Sequence, residues 1–171
     1  MGLRDRIGRD AGPAMQRFQM REKLMSIGDD YWIEDESGRK AYKVDGKAAR
    51  VRDTFVLRDA SGNDVAKIQE RVVSVRDKME IERAGGNVTV KKALVGIRDR
   101  FSISVDGGPD LSAHGNVVDH EYEIERDGAT IATVSKKWFR VRETYGVEIA
   151  SGEDPALILA ITVCMDELSR G

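Results

Sequence analysis

Asp154-Pro155-Ala156-Leu157-Ile158-Leu159-Ala160-Ile161-Thr162-Val163-Cys164-Met165-Asp166-Glu167-Leu168 decides the fold. Asp154 can cap a helix and Pro155 suits its first turn, where no backbone N–H is needed. Residues 156–165 are then apolar at every position except Thr162. A helix that is apolar on all sides must be buried on all sides. The run is too short to cross a bilayer, which takes roughly 18 residues or more. In a domain of 171 residues the place that surrounds a helix is the inside of a closed sheet. The charged end, Asp166, Glu167 and Arg170, marks where the helix emerges.

The preceding residues supply the sheet. Turn signals fall at Ser37-Gly38, Ser61-Gly62, Gly85-Gly86, Asp106-Gly107-Gly108, Asp127-Gly128 and Ser151-Gly152. Glycines 38, 62, 85, 107, 128 and 152 recur every 21 to 24 residues. One such period holds two strands and their turns, so six periods predict about twelve strands. Glu80-Ile81-Glu82-Arg83-Ala84-Gly85 and Glu123-Ile124-Glu125-Arg126-Asp127-Gly128 show the repeat in the letters themselves. Phe101, Ile103 and Val105 alternate with Arg100, Ser102 and Ser104, and Tyr122 and Ile124 with Glu121, Glu123 and Glu125. Such alternation gives a dry face and a wet face. The predicted fold class is therefore mainly β: a closed antiparallel barrel of about twelve strands around a buried hydrophobic C-terminal helix. Residues 1–15 read as a polar tail and 16–171 as one domain.

Composition narrows the function. Net charge is −2, so nucleic acid is not an expected partner. The single cysteine, Cys164, lies in the apolar helix, which predicts an inert core thiol and no disulfide. The N-terminal Met1-Gly2-Leu3-Arg4-Asp5-Arg6 has no apolar core and is not a secretory signal. No transmembrane segment is expected, and a cytoplasmic setting with peripheral membrane contact fits. No glycine loop leads from a strand into a helix to cradle phosphate, and no Gly-x-Ser-x-Gly elbow occurs. The sequence predicts no catalytic residue, no cofactor and no metal.

The order of strands followed by a core helix resembles the LURP-one-related family, within the Tubby C-terminal-like and phospholipid-scramblase-like group. The local match is carried by Val134-Ser-Lys-Lys-Trp-Phe-Arg-Val-Arg-Glu-Thr-Tyr-Gly-Val-Glu-Ile149, by Asp154 and by the Leu157–Ile161 run. Met20-Arg-Glu-Lys-Leu24 and Tyr31-Trp-Ile-Glu-Asp35 add to it. The resemblance covers roughly residues 16–169. It implies a barrel around the C-terminal helix but no settled biochemical function; Tubby domains bind phosphoinositides at membranes, and the scramblase relatives act on membranes. The chain departs from the scramblases, because it lacks their cysteine-rich lipidated segment and any Asp-x-Asp-x-Asp-Gly calcium loop. No lipid-site residue of the Tubby domains can be placed on it position by position.

Lys136, Trp138, Arg140 and Arg142 would share one face of a strand, with Phe139 and Val141 on the other. That face is the predicted lipid- or anion-binding site: cations for phosphate, with Trp138 at the interface. The plain alternative is a solvated face with a basic side chain stacked on Trp138. Lys91, Lys92, Arg98 and Arg100 form a second basic group with weaker aromatic company. His114 and His120, with Asp119 and Glu121, are the metal-like grouping, though their spacing matches no standard signature. The expected role is a non-enzymatic binding or scaffold domain, with peripheral binding of anionic, phosphoinositide-like membrane lipids as one form that role can take. The alternatives are a protein-interaction module and, in another class, an enzyme with a site near His114 and His120.

Overall fold

The computed structural model describes residues 15–21, 30–46, 54–73, 76–93, 99–139 and 143–169. The strands are β1 (Gln16–Arg21), β2 (Asp30–Asp35), β3 (Lys40–Asp45), β4 (Thr54–Asp59), β5 (Asp64–Val73), β6 (Arg76–Glu82), β7 (Val88–Ala93), β8 (Asp99–Val105), β9 (Leu111–Asn116), β10 (Glu121–Arg126), β11 (Ala129–Ser135) and β12 (Thr144–Ile149). A helix, α1 (Pro155–Leu168), follows. Each strand pairs antiparallel with its sequence neighbours. The barrel closes where β1 pairs β12 over six registers, from Gln16↔Ile149 to Arg21↔Thr144. Closure removes the two free edges that an open sheet of these strands would present.

The helix is bounded as the sequence predicts. The Asp154 carboxylate accepts from the Ala156 N–H at 3.0 Å. Leu157 through Asp166 are all buried, and Thr162 satisfies its hydroxyl by donating to the Ile158 carbonyl at 2.9 Å. Inward residues of all twelve strands join the helix in a single core, among them Met20, Ile33, Val44, Leu57, Ile68, Ile81, Val90, Ile103, Ala113, Ile124, Val134 and Val147. The helix fills the lumen. Burial pushes the Cys164 thiol far above its usual range, as an inert core cysteine requires.

The periodic turns all lie at the rim where the helix enters. An up-and-down barrel places alternate connections at the same end, which is why glycine recurs once per pair of strands. Asp35-Glu36-Ser37-Gly38 and Asp59-Ala60-Ser61-Gly62 use one device twice. Asp35 Oδ1 accepts from the N–H of Ser37 and Arg39, and Asp59 Oδ1 from those of Ser61 and Asn63. The Ser37 hydroxyl bond to Asp35, and the Asn63 N–H bond to Asp59, hold these carboxyls below the usual carboxylate range. In the third hairpin the left-handed residue is Gly86 (φ 111°) and not Gly85. A Cβ on Gly86 would meet the Asp106 carbonyl oxygen at 2.8 Å, so the neighbouring turn dictates glycine there.

The proposed N-terminal tail, residues 1–15, lies outside the described residues except for Met15. Among the described residues no helix is long and apolar enough to cross a membrane.

Truncating the helix at its most enclosed positions tests the filled lumen. Ile161 is fully buried. Ile161→Ala is expected to lower the unfolding free energy by about 2–5 kcal/mol in urea titration. Ser102→Ala, on the exposed face of β8, should stay within about 0.5 kcal/mol of the parent. Equal effects would contradict a load concentrated on the helix.

Candidate functional site

β11 does not run on through the basic residues. It ends at Ser135, and Lys136–Trp138 form a 3₁₀ turn. Ser135 Oγ accepts from the Lys137 N–H at 3.1 Å and donates to Glu121 Oε1 at 2.9 Å. Glu121 Oε1 also accepts from the Lys136 N–H at 3.1 Å. A carboxylate on β10 thus pins the backbone in a turn, and the expected placing of Lys136 and Trp138 on one face of a strand is lost. Arg140, Val141 and Arg142 lie outside the described residues. Lys136 and Lys137 are exposed, whereas Trp138 and Phe139 are half-buried.

Trp138 and Phe139 lie on β12. A Cβ at Gly146 would stand 2.8 Å from Trp138 Cε3 and 3.0 Å from the Phe139 ring, so only glycine admits both aromatic side chains. From β1, the Arg17 guanidinium sits 5.1 Å from the Trp138 ring centroid and pairs with Glu148 on β12. Trp138 therefore caps the seam that closes the barrel. A basic side chain does stack on it, and that side chain comes from the far end of the sequence.

The two histidines take separate places. His114 stands on β9 opposite Glu123 of β10, with its Nε2 3.7 Å from Glu125 Oε1. His120 is buried in the turn between β9 and β10, in a left-handed backbone conformation (φ 53°). Its ring meets Tyr145 edge-on at 4.1 Å, and its Nε2 lies 3.9 Å from Asp166 Oδ1. Tyr145 Oη donates to Asp166 Oδ2 at 2.7 Å. The expected company of the histidines is engaged elsewhere: Asp119 bonds Asn116, and Glu121 holds the 3₁₀ turn. The grouping of His114 and His120 with Asp119 and Glu121 is therefore not formed. His120, Tyr145 and Asp166 instead make a polar plug around the end of the helix, a device that sequence reasoning missed. Its signal was the acid at 166 directly after an apolar run.

Two open hollows lie at the opposite rim, beside the start of the helix. The larger, of about 960 Å³, is lined by residues including Tyr42, Val56, Lys67, Arg83, Asp154 and Leu157. The smaller, of about 610 Å³, lies across Tyr42 and Asp59 and includes Phe18, Arg39 and Pro155. Burial, with the charges of Asp154 and Asp59, raises the Tyr42 phenol pKa. Of the second basic group, Lys92 is 3.6 Å from Asp99, and Arg98 is outside the described residues.

Tyr122, fully enclosed and near Asp166, gives a pH test of the buried plug. Burial first, and the Asp166 charge second, push its phenol well above the ordinary value. A raised folded-state value means stability present below about pH 10 and lost as pH climbs, because the unfolded chain ionises first. In an ultraviolet titration Tyr122 should stay protonated until the barrel unfolds. Tyr122→Phe should remove part of the alkaline loss of stability. Ionisation of all four tyrosines near pH 10 with the fold intact would contradict the enclosed site.

A family model described as LURP-one-related matches residues 16–166. No curated protein matches the chain. The crystal structure of a protein from Arabidopsis thaliana superposes with a TM-score of 0.69, covering 93% of this chain and 94% of that one at 18% identity. That likeness establishes a shared fold. The matched span takes in every strand and the helix through Asp166, so the chain belongs to the LURP-one-related family.

Proposed function

We propose that this barrel is a non-enzymatic binding domain that meets an anionic membrane surface with the rim where its helix ends. Among the described residues the helix and the inward side chains form one core, which supports a role at the surface. The observation that carries the reading is the opposite charge of the two ends. The turns at the helix-entry rim carry Glu36, Asp106, Asp110, Asp127, Glu153 and Asp154 against Arg39 and Arg83. In sequence, the segments between the strands that meet at the other end are predominantly basic. Lys23 falls between β1 and β2, Lys47, Arg50 and Arg52 between β3 and β4, Arg98 between β7 and β8, and Lys136, Lys137, Arg140 and Arg142 between β11 and β12, against Glu22, Asp29, Asp53, Asp119 and Glu143 in the same set of segments. A charge asymmetry of this kind orients a protein on a negative surface even when net charge is near zero. Each basic residue near such a surface contributes about 1 kcal/mol at low salt.

In this reading Lys136, Arg140 and Arg142 contact lipid phosphate, and Trp138 holds their connection against the barrel seam. Flotation with phosphatidylserine-containing vesicles against neutral phosphatidylcholine vesicles tests it. Binding is expected to the anionic vesicles alone and to weaken with salt. Charge reversal of Lys136, Arg140 and Arg142 to Glu should cost at least about tenfold in affinity. Asp106→Lys with Asp127→Lys, at the other rim, should cost nothing. Near-UV circular dichroism confirms that each variant folds. No binding to anionic vesicles, or unchanged binding by the triple variant, would overturn the lipid reading and leave a protein contact as the role of the surface.

A further inference from the structure

We infer that His114, Glu123 and Glu125 form a surface site for a divalent transition metal of the zinc class. The three residues come from two neighbouring strands of the barrel and are unrelated to the basic rim. His114 lies directly across the ladder from Glu123, and Glu125 follows two residues later on the same face. One ligand atom from each lies within 4.8 Å of the other two. A tetrahedral zinc ion with bonds of about 2.0–2.2 Å needs its ligands roughly 3.3–3.6 Å apart. His114 Nε2 and Glu125 Oε1, at 3.7 Å, are nearly at that spacing already. Glu123, whose ligand atom is within 4.8 Å of the other two, would complete the set by side-chain rotation.

The backbone beneath is tightly registered. Gly115 (φ 138°) lets β10 approach so closely that a Cβ would stand 2.6 Å from the Glu121 carbonyl oxygen and 2.7 Å from Tyr122 Cα. That approach fixes His114 opposite Glu123. From β11, Thr130 Oγ1 reaches Glu123 Oε2 at 3.5 Å, a contact that biases the carboxylate's orientation. Imidazole with two carboxylates selects a zinc-class ion over calcium or magnesium, which favour all-oxygen shells. The two carboxylates also balance the charge of the dication. Arg100 of β8, opposite His114 on its other side, opposes a cation there. The site offers three ligands and leaves a fourth position open to water or to a ligand from another molecule.

The test uses the full, untagged chain, stripped with chelator and titrated with Co²⁺ and Zn²⁺. One Co²⁺ per chain should bind with visible absorption bands, and one equivalent of Zn²⁺ should abolish them. His114→Ala, and separately Glu123→Gln with Glu125→Gln, should each weaken binding at least about tenfold. Arg100→Ala should tighten it. These side chains lie on the outer face, so far-UV circular dichroism should be unchanged. Calcium should not compete. No saturable binding up to about millimolar Co²⁺, or binding undiminished by either ligand variant, would overturn the assignment.

Discussion

A helix with no polar face needs apolar neighbours on every side, and the structure follows from that constraint. One open sheet covers one side of a helix. A closed barrel covers all of it, and each strand need be dry on only one face to do so. In exchange the helix fills a lumen whose lining side chains would otherwise face an empty space. Both halves of the arrangement are hydrophobic burial, the dominant favourable contribution to folding. Neither half has an evident stable form alone, because the helix would expose apolar surface and the barrel would enclose a void.

Closing the barrel requires the first strand to meet the last, and the side chains at that seam come from distant parts of the chain. Arg17 on β1 joins Glu148 on β12 and covers Trp138, which rests on Gly146. At the end of the helix, Asp166 is accommodated below the surface by the Tyr145 hydroxyl and by His120 alongside. Burying a carboxylate without such partners would be costly. The polar plug therefore lets an apolar helix terminate in charge without opening the lumen to water. These requirements give the Trp138–Gly146 contact and the Tyr145–Asp166 bond structural roles in the first place.

The helix bounds, the strand count and the closed architecture were legible in the sequence. Each depends on local periodicity: the all-apolar run from 156, the two-residue alternation and the recurring glycines. The strand placement of Lys136 and Trp138 differs for a physical reason. Lys136 and Trp138 have strand-like spacing, yet Glu121 on another strand bonds the backbone at 136 and the Ser135 hydroxyl. No local pattern reports a hydrogen bond made 14 or 15 residues away. The histidines, a strand residue and a turn residue, are a different case. Nearness in sequence suggested His114 with His120, whereas the β9–β10 ladder brings His114 to Glu123 and sends His120 toward Tyr145 and Asp166. Gly86 in place of Gly85 is a smaller case, decided by the Asp106 carbonyl of the next turn.

With its interior occupied by the helix, the barrel offers its outer face and its rims as surface for contact. That conclusion depends on the helix being part of the cooperative core and not a removable stopper. Native-state hydrogen exchange measures this directly, because it reports the free energy of opening at each amide. The amides of Ile158 to Met165 are expected to exchange only through global unfolding, with the same opening free energy as the central residues of β6, β7 and β12. Exchange of the helix at a distinctly lower free energy, with the strands still protected, would contradict the filled, interdependent barrel.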